Sequence, residues 1–216
     1  MIELRSVTKS YGRVGALNNV SLQVTSGDFL AIVGPSGSGK TTFLNLVSGL
    51  LSPTSGETLV DGVSLGKLGP RERAALRREK FGFVFQTFNL ISYLTAIENV
   101  EIPLYLAGAH PAKQRLRAGQ LLEKVGLKDR LFHLPSELSL GEQQRVAIAR
   151  ALANNASALL ADEPTGNLDS KTGKDLMAYV KELNGLGVTV LLVTHDPAIA
   201  DFAKRKIRIV DGRIIQ

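Results

Sequence analysis

The chain has 216 residues, 44% of them hydrophobic, and 26 Lys and Arg against 20 Asp and Glu give a net charge of +6. That length and apolar content suit one well-cored domain, or a core with a subdomain, and argue against disorder. The absence of cysteine excludes disulfide staples and thiolate zinc sites, suits a reducing compartment, and leaves any metal to oxygen or imidazole ligands.

Ile2 to Thr8 and Val20 to Val24 alternate as strands and predict an antiparallel start, with Tyr11 and Gly12 in the loop between them. Tyr11 could stack on a purine or pack half-buried. The strand-like run Phe29 to Val33 leads into Gly34, Pro35, Ser36, Gly37, Ser38, Gly39, Lys40 and Thr41, followed by Thr42 and a helical run from Phe43 to Leu50. This is the phosphate-binding P-loop pattern in its strand–loop–helix setting. Its glycines let backbone N–H groups converge on phosphate oxygens at a helix N-terminus. Lys40 is placed to reach the β- and γ-phosphates, and Thr41 to hold Mg²⁺. Thr58 to Val60 then runs into the hairpin turn Asp61-Gly62.

Leu68 to Lys80 reads as a charged helix. Its basic residues Arg71, Arg73, Arg77, Arg78 and Lys80 are interrupted by Glu72 and Glu79 without interleaved aromatics, the pattern of a solvated face. Lys204, Arg205, Lys206 and Arg208 read the same way, and no nucleic-acid partner is expected. Phe81 to Phe85 is a compact strand ending at Gln86, whose amide could ligate Mg²⁺ or orient water. Between Thr87 and Leu138 apolar residues recur at helical spacing through Ala96 to Leu106 and Leu116 to Val125, punctuated by Pro103 and Pro111. Residues 87–135 are therefore predicted to form a helical subdomain inserted into an α/β core of residues 1–86 and 136–216.

Ser139 and Glu142 form a capping box opening a helix through Gln143 to Ala153, and helix initiation alone would explain them. Ala158 to Ala161 ends in Asp162-Glu163-Pro164, and Val188 to Val193 in Thr194-His195-Asp196, with a helix from Lys171 to Asn184 between them. These unalternating runs suit a parallel sheet covered on both faces, which binds ligands at its C-terminal strand ends. Beside a P-loop, Asp162 is placed to hold Mg²⁺ and Glu163 to act as the base for water or to orient it. His195, at the next strand end, is placed to touch the γ-phosphate or the attacking water. Ile207 to Val210, Asp211-Gly212 and Arg213 to Ile215 make a final hairpin. No apolar stretch approaches the roughly 18 residues of a membrane span. Met1 to Lys9 also lacks a signal-peptide pattern, so a soluble, cytosolic chain is expected.

The P-loop, Gln86, Leu138 to Gln144, Ala158 to Glu163, Asn167-Leu168-Asp169 and His195, in this order, resemble the ATP-hydrolysing subunits of ABC transporters over nearly the whole chain. Phe83 to Leu90, Glu98-Asn99-Val100 and Ala161 to Asp169 look most like the lipoprotein-release and macrolide-export type. The resemblance implies a P-loop NTPase core with a mostly parallel sheet, an antiparallel β portion and an inserted helical subdomain. It further implies ATP and Mg²⁺ as cofactors and a head-to-tail homodimer with each ATP between one P-loop and the partner's Ser139, Gly141 and Glu142. By the same resemblance Tyr11 stacks on adenine, Asp169 belongs to an interface loop, and Phe88 to Leu94 receives a helix of a membrane permease subunit. The expected location is the inner face of the cell membrane. One departure is that the family's usual Leu-Ser-Gly-Gly-Gln reads here with Leu140 for the first glycine and Glu142 for the glutamine. The competing readings are an ABC-type ATPase acting on DNA or ribosomes, and a P-loop kinase with a small acceptor.

Overall fold

The computed structural model describes residues 1–215. Strands β1 (Ile2–Tyr11) and β2 (Val14–Val24) form one long antiparallel hairpin, with Tyr11 paired to Val14 at its tip. Both run well past the predicted ends, and Tyr11 lies on a strand rather than in a loop. Bulges hide this from the sequence: Ser6 and Asn19 adopt φ of 49° and 51°, and the register shifts after Leu4, so the period-two alternation is broken midway. Outside β1 lie β4 (Ser55–Val60) and β5 (Val63–Ser64), joined through Asp61 and Gly62 at positive φ.

A second sheet carries the site. Its strands are β3 (Phe29–Val33), β6 (Phe81–Phe85), β7 (Ala158–Asp162), β8 (Thr189–Val193), β9 (Arg205–Val210) and β10 (Arg213–Ile215). They lie in the order β10-β9-β3-β8-β7-β6, all parallel except β10. Alternate residues of the central strands feed two separate cores. Leu30, Ile32, Leu160, Leu191 and Val193 pack with the first sheet and with Phe43, Leu46 and Val47 of α1 (Lys40–Val47). Ala31, Leu159, Ala161, Val190 and Leu192 pack instead against the helices of the opposite face. Each such buried large side chain contributes about 1.5–3 kcal/mol relative to exposure, so the sheet that holds the site is well anchored.

The other helices are α2 (Pro70–Lys80), α3 (Ala96–Leu106), α4 (Pro111–Lys124), α5 (Leu140–Ala151), α6 (Ser170–Gly185) and α7 (Pro197–Ala200). Two helices depart most from expectation. Helix α1 begins at Lys40 and stops before Gly49, whose φ of 68° ends the helix three residues earlier than the apolar pattern suggests. Helix α4 starts at Pro111 in its first turn rather than at Leu116, with His110 Nδ1 accepting from the Ala112 N–H at 3.3 Å. Helices α3, α4 and α5 share one apolar core, which joins the sheet through Val84, Leu159 and Ala161.

Buried Asn99 on α3 fastens the segment that precedes that helix. Its Oδ1 accepts from the Ile91 N–H at 2.8 Å, and its Nδ2 reaches the carbonyls of Ile91, Leu94 and Thr95 at 3.1, 2.9 and 3.0 Å. Part of each basic run is engaged within the chain. Arg73 donates to Ser52 Oγ, Arg77 to the Gly49 carbonyl and Arg205 to Asp28, while Lys80 pairs with Asp61 and Lys206 with Asp201. Among the described residues no helix is long and apolar enough to cross a membrane.

Candidate active site at the ends of four parallel strands

The register of the second sheet sets the site. Phe85 pairs with Asp162, Asp162 with Val193 and Ile32 with Val193, so β6, β7, β8 and β3 end side by side. The residues at and just beyond these four ends therefore meet: Gln86 after β6, Asp162 and Glu163 at β7, His195 after β8, and the P-loop after β3. A cleft of about 550–600 Å³ is lined by Ser36, Gly37, Gly39, Lys40, Thr41, Thr42, Gln86, Asp162, Glu163 and His195, with Ala16 at its margin.

The P-loop is tightly enclosed. Gly34 has φ 155°, and a Cβ there would lie 2.1 Å from the Ile209 carbonyl oxygen. Gly39, at φ 107°, has the Ala16 carbonyl 2.3 Å from the same position. Only glycine fits at either place. Lys40 is buried, and its Nζ donates to the carbonyls of Gly34 and Pro35, both at 2.9 Å, so the ammonium is folded back across the loop. Gly39 is the N-cap of α1 and offers no side-chain acceptor, and the first turn carries no acidic residue. The N–H groups of that turn thus remain donors for an anion. Ser38 contributes a buried hydroxyl that finds no hydrogen-bond partner among the described residues.

Thr41 Oγ1 donates to Asp162 Oδ2 at 2.9 Å, joining two of the three expected metal ligands across the cleft. Burial pushes the Asp162 carboxyl above its ordinary value and the nearby Glu163 charge adds to this, against the lowering effects of the Thr41 hydroxyl and Lys40. Among the described residues no cluster of three His, Asp or Glu could hold a metal by itself. A hydroxyl, one carboxylate and the Gln86 amide fit Mg²⁺, a hard cation that takes few protein oxygens and completes its shell with phosphates and water.

Glu163 adopts φ 49°, a left-handed conformation costing a non-glycine residue on the order of 1 kcal/mol. Its backbone is pinned there: its N–H donates to the Val193 carbonyl at 2.9 Å, and its carbonyl accepts from Gly166 at 3.0 Å. The side chain aims at His195, with Oε1 2.9 Å from the exposed imidazole Nδ1. Carboxylate, imidazole, lysine and threonine thus border one cleft.

Other predicted residues lie outside the cleft. Tyr11 is half exposed at the hairpin tip, with Lys9 Nζ 5.2 Å above its ring. Ser139 caps α5 and exchanges hydrogen bonds with Glu142: its N–H and hydroxyl donate to Oε2 at 2.8 and 2.9 Å, and its Oγ accepts from the Glu142 N–H at 3.3 Å. These bonds, led by the one from the Ser139 backbone and joined by Arg130, hold the Glu142 carboxyl below its ordinary value. Leu140 occupies the first turn with its side chain 51% exposed. Gly141 faces Thr172, which a Cβ would approach to 2.6 Å. Asp169 caps α6 through the N–H groups of Lys171 and Thr172, both at 3.0 Å. Sequence reasoning included Gln144 and Asn167 in the stretches that carry the resemblance but gave neither side chain a role; Gln144 is a buried amide, and Asn167 donates to the Gln86 carbonyl at 2.8 Å. Glutamine and asparagine inside an otherwise regular pattern carry no periodic signal.

A P-loop at the end of a central parallel strand, with a carboxylate pair at the end of β7, the next strand but one, defines a P-loop nucleotide-binding protein. The ABC transporter family model matches residues 17–166, more than half of the chain, and the chain belongs to that family as an ATP-binding cassette. It is 50% identical over 219 residues to the macrolide export ATP-binding/permease protein MacB of Hyphomonas neptunium, covering all of this chain and 34% of that protein. The chain thus spans about a third of the length of that relative. It is 48% identical over 220 residues to an ABC transporter ATP-binding protein of Methanocaldococcus jannaschii, covering all of this chain and 98% of that one. The solved dimeric structure of the ABC transporter cassette MJ0796 superposes with a TM-score of 0.93 at 47% identity, covering all of this chain and 97% of that chain. A second structure of that cassette, a dimeric post-hydrolysis state bound to ADP and Pi, gives 0.92, again at 47% identity and with the same coverage.

Proposed function

We propose that the chain binds and hydrolyses ATP with Mg²⁺ and uses the cycle to drive a separate membrane partner, as an ATPase subunit of the macrolide-export or lipoprotein-release type. The observation that carries this reading is the convergence of Lys40, Thr41, Gln86, Asp162, Glu163 and His195 on one cleft at four adjacent strand ends. Gly34 to Thr42 would cradle the phosphates through backbone N–H groups, with Lys40 exchanging its two carbonyl partners for the β- and γ-phosphates. Thr41 and Asp162, joined by Gln86, would hold Mg²⁺, whose charge stabilises the phosphoryl group during transfer. Glu163 takes the proton of the attacking water, and His195 orients Glu163 and faces the γ-phosphate.

Ser139, Gly141 and Glu142 stand apart from the chain's own cleft, in keeping with a head-to-tail homodimer in which they complete the partner's site. Leu140 and Gly141 keep their backbone N–H groups at the α5 N-terminus, while the Glu142 N–H is taken by Ser139 Oγ. Tyr11 would stack on adenine, and Asp169 would lie at the interface. The core is taken as residues 1–86 and 136–216, with 87–135 as the helical subdomain.

A groove of about 550 Å³ between α2, β6, α3 and α5 is the proposed seat of the membrane partner. It begins at Phe85 and Asn89 and presents Phe83, Ile102, Pro103 and Leu106 beside Arg77, Arg78 and Arg150, with no carboxylate in its lining. That surface suits an amphipathic segment carrying an acidic group, and would place the chain on the inner face of the membrane. The test is steady-state phosphate release from MgATP by the purified chain, with a panel of small acceptors added separately. Turnover to ADP and phosphate without an acceptor supports the reading; turnover only with an acceptor would make the protein a kinase.

A further inference from the structure

Gln144 lies in the second turn of α5, fully buried, and belongs to none of the phosphate, metal or base roles above. Its Nε2 donates to the Pro164 carbonyl at 2.6 Å and reaches the Phe85 carbonyl at 3.4 Å. An atom between two carbonyl oxygens must be the donor end of the amide, which fixes the side chain's orientation. Its Oε1 is buried and accepts no hydrogen bond from the described residues. Buried Asn99, by contrast, uses both ends of its amide. Leaving an acceptor unmet in a dry interior is unfavourable, so what holds a glutamine here is its donor.

Both carbonyls belong to backbone that borders the site. Pro164 directly follows Glu163, whose left-handed backbone must be held by its surroundings, and Phe85 directly precedes Gln86. One side chain thus fixes the exits of β6 and β7 against each other and against the helix whose N-terminus carries Ser139. At the far end of α5, Arg150 donates to the carbonyls of Asn89 and Phe88 at 2.5 and 2.7 Å, two residues that also adopt positive φ. Helix α5 therefore grips the backbone next to Glu163, next to Gln86 and beside the arginine-lined groove.

We infer that Gln144 is a positioning residue for hydrolysis: by donating to the Pro164 and Phe85 carbonyls it sets Glu163 and Gln86 relative to α5. It touches neither nucleotide nor metal, so its loss acts on turnover and not on ATP binding. The inference rests on the ATPase reading above. The experiment compares wild type, Gln144→Met and Gln144→Glu for kcat, KM and equilibrium affinity for a fluorescent ATP analogue, with folding checked by circular dichroism. Methionine fills the space but cannot donate, and its kcat is expected to fall about tenfold, the rate equivalent of one such bond, with KM and affinity within about twofold of wild type. A buried glutamate is pushed towards its protonated form, which can donate one hydrogen bond where the carboxylate would face two carbonyl oxygens. The kcat of Gln144→Glu relative to wild type should therefore rise several-fold as pH falls from about 8.5 to 6, while the Gln144→Met ratio stays flat.

Gln144→Met with kcat within about twofold of wild type, or a Gln144→Glu ratio independent of pH, overturns the inference. If Gln144→Met fails to fold, the pH ratio of Gln144→Glu decides; if both fail to fold, the residue's role is structural and the inference falls. An inactive wild type that still binds ATP would instead defeat the ATPase reading, and this inference with it.

Discussion

Replacing Glu163 by glutamine is the sharpest perturbation of the proposed chemistry. The amide is isosteric with the carboxylate and keeps one acceptor oxygen for His195 Nδ1, now 2.9 Å from Oε1. The backbone bonds to Val193 and from Gly166 do not involve the side chain, so the left-handed turn has its supports intact. The fold should therefore hold, with Tm within about 4 °C of wild type, the shift that 1 kcal/mol produces in a domain of this size. The variant's deficiency is its missing base. General-base catalysis is worth roughly 10²- to 10⁴-fold, or about 3–5.5 kcal/mol of barrier, so turnover should fall by at least about two orders of magnitude with ATP affinity kept. Slow turnover should preserve the ATP-bound dimer, and sedimentation or light scattering should find monomers without nucleotide and dimers with MgATP. Turnover above about a tenth of wild type would remove Glu163 from the role of base. A monomer with ATP bound under both conditions would refute the proposed sandwich for the isolated chain.

The same preparation serves further predictions. Lys40→Ala removes the ammonium now shared by Gly34 and Pro35, and ATP affinity should drop about 100-fold or more in an equilibrium binding titration, since charge-assisted bonds to phosphate contribute roughly 1.5–3 kcal/mol each. Leu140→Gly in the Glu163→Gln background should leave ATP-driven dimerisation within about threefold, because a phosphate contact made through backbone N–H groups is available to either residue; a gain above about tenfold would show that Leu140 obstructs the interface. The Glu142 carboxyl titrates lower in the folded chain than its ordinary 4.5, so its capping contribution is present above that value and lost as pH falls through the folded one. Urea midpoints measured at pH 6 and near pH 3.5 should therefore drop more for wild type than for Glu142→Gln; equal losses would remove the carboxylate from this role.

Much of this site is legible in sequence because its chemistry is written at strand ends. A run such as Phe29 to Val33 must be buried on both faces, and the polar residue after it then emerges where the sheet opens, which is what makes Gln86, Asp162, Glu163 and His195 readable. The pattern fails where backbone geometry departs from a regular period. Ser6 and Asn19 at positive φ break the alternation of the first hairpin, and Gly49 ends α1 while apolar Leu50 and Leu51 continue the helical spacing. It fails also for side chains that serve carbonyls far away in sequence. Gln144 bonds residues 20 and 59 positions distant, and no local pattern records such a partner.

Asn99 gives the stretch from Phe88 to Leu94 a mechanical character its irregular backbone conceals. With one amide holding both polar groups of Ile91 and the carbonyls of Leu94 and Thr95, this segment has little play of its own and travels with α3 as a stiff bracket. Pressure from a protein seated in the adjoining groove would be passed on as displacement instead of being absorbed by bending. A loop built this way is stiff, held by Asn99 at Ile91 and Leu94 and by Arg150 at Phe88 and Asn89.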